Sequence, residues 1–267
     1  MKKVGTAVSA RRRPLVVGNW KMNPPTLREA IRIITGFRRK VGVSLGRVDI
    51  VICPPFPYLA ALRAKFSTLP LGVQDISAEK EGAFTGQVSA AISKSCGASL
   101  AIVGHSERRA AGDGDELVAR KLAATLGAGL VAVLCVGETS RDLQGSYLRV
   151  LAAQIKASLS GVPADKLNKL VVAYEPVWAI GAGKTAIGPR ELLEAALYVR
   201  KCLRDTLGAK RGAAVPIIYG GSVDGDNAAA LISEGEVDGF LPGRASLDPY
   251  QFSEIVAAAA SARRRAK

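Results

Sequence analysis

Three short polar segments interrupt an otherwise apolar chain. Asn19-Trp20-Lys21 follows one β-branched run, His105-Ser106-Glu107 a second, and Glu175-Pro176 a third. A carboxylate, an imidazole and an ammonium are the groups needed to move a proton between carbons beside a carbonyl. Glu175 follows Val171-Val172-Ala173-Tyr174, so its carboxylate is expected at the edge of an apolar core. Partial desolvation there raises a carboxyl pKa toward the range useful to a general base. His105 is the only histidine. The run Ser106–Arg109 can begin a helical turn directly after it, and a helix N-terminus favours the neutral ring as a donor. Lys21 is a point charge suited to an anionic substrate. Each residue alone has a commonplace explanation; the combination carries the signal.

Glycine-containing turns follow two further runs, Gly220-Gly221-Ser222 and Pro242-Gly243-Arg244. Small residues let backbone N–H groups converge on an anion such as a phosphate. The stretch Gly181-Ala182-Gly183-Lys184-Thr185 is not a P-loop, because Trp178 stands where its first glycine is required. Nor is it a dinucleotide fingerprint, since no strand leads through it into a helix, which starts only at Pro189. It reads as a lid: Pro176 and Val177 as a stiff hinge, Ala179–Gly183 as a small-residue tip, and Lys184-Thr185-Ala186 as the return.

These segments need positioning, and the rest of the chain supplies it. Eight short apolar runs read as buried parallel strands: Leu15–Val17, Asp49–Cys53, Leu71–Gln74, Leu100–Val103, Leu130–Val136, Leu170–Tyr174, Val215–Tyr219 and Gly239–Leu241. Amphipathic stretches alternate with them, clearest over Leu27–Val41, Glu116–Leu126, Gln144–Leu159 and Pro189–Leu207, with a last helix from Tyr250 to about Ala260. Pro189 marks a helix start, and Gly127 and Gly208 stand where C-terminal caps belong. Strand–helix alternation without a change of composition predicts one α/β domain over 1–267, a (β/α)₈ barrel. In such folds ligands bind at the carboxyl ends of the strands, where all the polar segments fall.

The 267 residues are 48% hydrophobic and contain no apolar run of membrane-spanning length. Cys53, Cys96, Cys135 and Cys202 form no Cys-x-x-Cys pair, so they read as free thiols of a reducing compartment. With one histidine, no multi-histidine metal site is possible, and neither metal nor cofactor is expected. The net charge is +14, and nine cations lie in acid-free tails at about 1–13 and 262–267. Solvated termini account for such runs, and tail charge is too weak a sign for a nucleic-acid partner to be expected. The alternative for the first 13 residues is a short organelle leader.

Gly18-Asn19-Trp20-Lys21-Met22-Asn23, Gly104–Arg109, Tyr174–Gly181 and Tyr219–Val223 resemble, in order and spacing, the signature segments of the triosephosphate isomerases. The resemblance spans about Pro14 to Ala258. It implies a cofactor-independent, cytoplasmic enzyme of glycolysis and gluconeogenesis that interconverts dihydroxyacetone phosphate and glyceraldehyde 3-phosphate. Glu175 is then the base and neutral His105 the proton shuttle between the enediolate oxygens. Asn19 and Lys21 stabilise negative charge, and Glu107 hydrogen-bonds within the network. Gly181, Ser222, Gly243 and Arg244 offer backbone N–H groups to the phosphate. Closure of the 176–186 lid excludes water. Cys135 corresponds to a structural cysteine after strand five. The resemblance also implies a homodimer, with the Asp75–Val88 loop and its Thr85 inserted into the partner subunit.

Several positions depart from the family pattern. Gln87 replaces a glutamate near the expected interface, and Asp113 stands for a glutamate in a shortened turn over 110–115, so looser dimer packing is expected. Ala182 replaces a lid threonine. Pro242 and Arg244 replace valine and glycine in the last phosphate loop. Arg244 and Ala182 leave open a four-carbon phosphosugar as the substrate.

Overall fold

The computed structural model describes residues 13–41, 46–142, 144–181 and 186–262. Ala182, Lys184, Thr185 and the tail cations other than Arg13 lie outside them. Eight parallel strands close in sequence order: β1 (Leu15–Asn19), β2 (Asp49–Cys53), β3 (Leu71–Val73), β4 (Ala98–Val103), β5 (Val131–Val136), β6 (Leu170–Tyr174), β7 (Ile217–Tyr219) and β8 (Gly239–Phe240). β8 pairs back onto β1 through Leu15 with Gly239 and Val16 with Phe240. The fold is the expected (β/α)₈ barrel.

Strand periodicity divides the core in two. One set of alternate residues fills the barrel: Val17, Val51 and Cys53, Leu100 and Ile102, Val133 and Cys135, Val171 and Ala173, Ile218. The other set, among them Val16, Ile50, Ile52, Leu134, Val172 and Tyr174, packs outward beneath the helices. Both faces being buried is why the strands read as continuous apolar runs.

The helices are α1 (Leu27–Val41), α2 (Leu59–Lys65), α3 (Ala90–Ser95), α4 (Ser106–Ala110), α5 (Asp115–Gly127), α6 (Ser146–Ser158), α7 (Pro189–Leu207), α8 (Ala209–Ala214), α9 (Ala228–Glu234) and α10 (Pro249–Ser261). α1 buries Ala30, Ile33, Ile34, Phe37 and Val41, the spacing of one helical face. Thr26 Oγ1 accepts from Glu29 N–H at 3.2 Å and starts it. α7 starts at Pro189, with Glu191 accepting from Gly188 N–H at 2.8 Å. Asp248 caps α10 by accepting from Tyr250 and Gln251 N–H. One expected cap differs. Gly127 is the last helical residue of α5, and the left-handed turn falls on Gly129 at φ 79°. Ala128 still fits a helical conformation, so the chain does not need its glycine until one residue later. Gly208 takes a positive φ after α7, as expected.

Candidate active site

Strand alternation aims the first two residues. Val171 and Ala173 face the barrel interior, so Glu175 continues that row at the carboxyl mouth; Val17 leads to Asn19 in the same way. Glu175 is 2% exposed and Asn19 4%. Glu175 Oε2 accepts from Ser106 N–H at 3.0 Å. Its Oε1 faces His105 Nε2 at 3.4 Å and has no hydrogen bond from any described residue. A buried carboxylate oxygen with an unused lone pair costs stability and is what a base requires. Below it the Cys135 thiol is held protonated, its pKa pushed up first by burial and then by the neighbouring Glu175 carboxylate.

His105 caps α4. Its Nδ1 accepts from Glu107 N–H at 3.2 Å, which leaves the ring proton on Nε2, the nitrogen facing Glu175. Glu107 also pairs with Lys21, Oε1 to Nζ at 2.6 Å. Lys21 sits in the left-handed region at φ 52°, a conformation that costs a non-glycine residue about 1–2 kcal/mol. Two hydrogen bonds hold it there: Lys21 N–H donates to Asn19 Oδ1 at 3.1 Å, and Gln74 Nε2 donates to Lys21 O at 2.8 Å.

The last loop is knitted to the first. Asn19 N–H donates to Pro242 O at 2.9 Å, and Trp20 Nε1 to Ser246 O at 3.1 Å. Gly243 precedes the 3₁₀ turn Arg244–Leu247. The N–H groups of Gly181, Gly243 and Arg244 make no hydrogen bond with described residues. Ser222 Oγ reaches Ala179 O at 3.5 Å, joining the seventh loop to the lid root. Gly220 is different: its N–H is used by the barrel, donating to Tyr174 O at 2.8 Å.

The lid's entry is a 3₁₀ turn, Val177–Ala179, with Ala179 buried rather than part of a small-residue tip. Trp178 Nε1 donates to the buried Glu138 Oε1 at 2.8 Å, an atom that also accepts from Tyr174 Oη and Arg141 Nε. The Arg141 guanidinium lies over the rings of Tyr147 and Trp178. The expected hinge therefore rests on a buried polar cluster as well as on Pro176.

The structure joins Asn19, Lys21, His105, Glu107 and Glu175 directly. Ser222, Gly243 and Arg244 lie on the same rim, and Gly181 follows the lid root. Sequence reasoning missed Gln74, Glu138, Arg141 and Gly137. A Cβ on Gly137 would run into the Glu175 carbonyl, and one on Gly220 would sit 2.8 Å from Glu175 Cγ. Gly137 thus makes room for the Glu175 backbone and Gly220 for its side chain. Applying the strand-end rule to β5, which runs into Gly137-Glu138, would have found two of the four.

A family model described as triosephosphate isomerase matches residues 14–259. The chain belongs to the triosephosphate isomerase family. Relatives carrying that name include one from Alkalilimnicola ehrlichii, 43% identical over 93% of this chain and 99% of its own length. Another from Solibacter usitatus is 42% identical over 92% and 99%. A third, from Symbiobacterium thermophilum, is 43% identical over 95% and 100%. Membership makes the chain an isomerase of triose phosphates.

A cavity of about 600 Å³ opens beside these residues. Asn19, Lys21, His105 and Glu107 form one wall, and the 74–79 and 86–88 segments, Phe84, Arg108, Asp113 and Lys121 form the rest. Glu175, Ser222 and Gly243 are not in its lining, so it lies on the third-loop side of the catalytic groups. Beneath it Lys121 Nζ contacts Asp75 Oδ2 at 2.8 Å and Asp113 Oδ2 at 2.6 Å, and Arg108 pairs with both aspartates. Asp113 is thus buried and doubly paired. Gln87, in place of a glutamate, accepts from Ser77 Oγ at 2.6 Å within its own loop. No helix among the described residues is long and apolar enough to cross a membrane.

Proposed function

We propose that Glu175 and His105 interconvert dihydroxyacetone phosphate and glyceraldehyde 3-phosphate through an enediolate, without a cofactor. Glu175 Oε1 removes a proton from the hydroxymethyl carbon while His105 Nε2–H donates to the carbonyl oxygen. The electron pair of the broken C–H bond forms the enediol C=C, and the carbonyl π pair moves to oxygen. His105 moves the proton between the two oxygens, and Glu175 returns its proton to the neighbouring carbon. This division of labour is the one for which triosephosphate isomerase is itself the standard worked case.

The supporting observation is the 3.4 Å approach of the buried Glu175 Oε1, which lacks a regular hydrogen bond from the described residues, to Nε2 at the barrel mouth. Lys21 and Asn19 stabilise the developing negative charge; Glu107 orients both Lys21 and His105. Gly181, Ser222, Gly243 and Arg244 bind the phosphate through backbone N–H groups. The 176–186 lid closes over the intermediate and keeps water from promoting loss of phosphate.

The working unit is a homodimer. Phe84 is exposed at 42% on a protruding loop, Met22 at 93%, and the cavity beside Lys21 has the position that a partner's Thr85 loop would fill. Four free cysteines, three of them buried, suit a reducing compartment, which we take to be the cytoplasm.

A coupled assay with glyceraldehyde 3-phosphate tests the reading. Glu175→Gln is expected to retain the fold and lose about 10³-fold in kcat. Near wild-type turnover by that variant would remove Glu175 as the base. Comparing kcat/KM on three- and four-carbon substrates tests the altered 242–244 loop, and a four-carbon preference would overturn the triose assignment. Sedimentation at micromolar concentration reads the dimer.

A further inference from the structure

Neither backbone polar group of Gly137 is used by the barrel's own ladder. Gly137 follows β5 at the carboxyl mouth and is buried. Its N–H donates to Gln154 Oε1 at 2.9 Å, and its carbonyl accepts from Gln154 Nε2 at 3.1 Å. No other described residue bonds either group. One side chain of the outer helix α6 therefore satisfies a whole buried residue of the barrel rim. A side-chain amide suits this task because it carries a donor and an acceptor on one planar group. The two bonds also fix which end of the amide is oxygen, since the N–H can only donate and the carbonyl only accept. Gln154 follows Leu151 by one turn and adjoins Ile155, both fully buried, so the amide is carried by a packed helix rather than a loop.

What Gly137 touches gives these bonds a consequence. The residues on either side of it continue the β5–β6 pairing past the strand ends. Glu175 N–H donates to Val136 O at 2.8 Å, and Val177 N–H donates to Glu138 O at 3.0 Å. Between the two, Gly137 lies so close to the Glu175 carbonyl that a Cβ there has no room. No side chain cushions the contact, so a shift of the Gly137 peptide is passed to the Glu175 backbone. The carboxylate on that backbone is buried and stands 3.4 Å from His105 Nε2. Gln154 itself hydrogen-bonds neither Glu175 nor His105.

We propose that Gln154 is a positioning residue for the proton transfer: its amide holds the Gly137 peptide groups, and Gly137 sets the backbone from which Glu175 reaches the substrate. The proposal rests on Glu175 being the base. Losing the amide frees the end of β5 and costs rate rather than substrate binding, because the turns after β7 and β8 that face the phosphate are untouched.

A coupled assay on the purified full chain tests it. Gln154→Leu removes both bonds and should lower kcat about 10- to 100-fold while KM stays within about twofold. Gln154→Glu gives a second readout. Its carboxylate still accepts from Gly137 N–H but repels Gly137 O, whereas the protonated carboxyl donates to that oxygen as the amide does. The kcat of Gln154→Glu relative to wild type at the same pH should therefore rise as pH falls from about 8 to about 5, toward the ordinary glutamate pKa of about 4.3. The ratio cancels the titration of Glu175. Because both changes act at one peptide, adding Gln154→Leu to Gly137→Ala should slow the enzyme no further than Gly137→Ala alone. Unchanged kcat in folded Gln154→Leu, a flat ratio for Gln154→Glu, or losses that multiply with those of Gly137→Ala would overturn the proposal and leave Gln154 a tie between helix and barrel. If Gln154→Leu does not fold, the Gln154→Glu ratio decides alone. Full turnover by Glu175→Gln would instead remove the base itself, whatever the Gln154 variants do.

Discussion

The two ends of this barrel handle charge in opposite ways. At the carboxyl mouth Lys21 is matched to Glu107, His105 faces Glu175, and Lys121 and Arg108 close on Asp75 and Asp113. At the amino end of β1 to β3, cations stand in water with a single acid among them. Groups paired at contact distance, with His105 and Glu175 buried among them, act over short distances and tolerate little displacement. Solvated cations act over roughly a Debye length, about 8 Å at physiological salt, and individually contribute little to stability. The mouth is therefore built for a reaction at short range, whereas the base is built for solvation.

Perturbing each end should separate them, beginning with the largest effect. Glu175→Gln should lower kcat about 10³-fold while the protein stays folded, whereas the triple variant Arg39→Ala, Arg47→Ala, Lys65→Ala keeps the full rate. A comparable loss in the triple variant would mean the two ends are coupled. Next, Lys121→Ala leaves Asp75 and the buried Asp113 with the half-exposed Arg108 alone and should cost about 3 kcal/mol in urea unfolding, the lower end for a broken buried pair. A loss below about 1 kcal/mol would mean that water already satisfies Asp75 and Asp113.

Gly137→Ala tests positioning without touching a charge. Its Cβ would collide with the Glu175 carbonyl. A displacement of about 1 Å should cost about 100-fold in kcat, and wild-type kcat would show that the strand end yields. At alkaline pH the buried core should give way. Burial pushes the pKa of Cys53, Cys135, Tyr174 and Tyr219 above their ordinary values. Folded, these groups hold protons that the unfolded chain releases, so their contribution is complete below the unfolded values of about 8.5 and 10 and is lost as pH rises past them. Urea midpoints at about pH 7 and pH 11 should therefore fall, and constancy would argue against burial as the cause. Smallest of all, Arg13→Ala should change stability by less than about 0.5 kcal/mol, because its pairing with Asp49 is half exposed.

Much of the fold was legible in the order of residues. Continuous apolar runs alternating with helical periodicity fixed the strands to within a residue or two, because a strand buried on both faces leaves no polar position. Polar residues directly after such runs identified Lys21, His105 and Glu175, since in this topology the strand ends are where side chains converge, and the family resemblance added Asn19 and Glu107. Gln74 and Gly137 were not legible: an amide and a glycine in loops look like any others until their neighbours are known. The lid root misled for a related reason. Ala179 is small, which suggested a mobile tip, but Trp178 is tied to Glu138 forty residues earlier and Ala179 is buried with it.

By itself the sequence determined the alternation of elements, the strand ends that carry Glu175 and Asn19, and the set of groups able to exchange a proton with carbon. These are local properties of period and residue type. Only the closed barrel decided which row of each strand faces inward, which of His105's nitrogens meets Glu175, which glycines clear space for Glu175, and that cations from α1, α2 and the strand entries share one end. Each depends on distances between residues far apart in the chain, and those distances exist only once β8 has paired with β1.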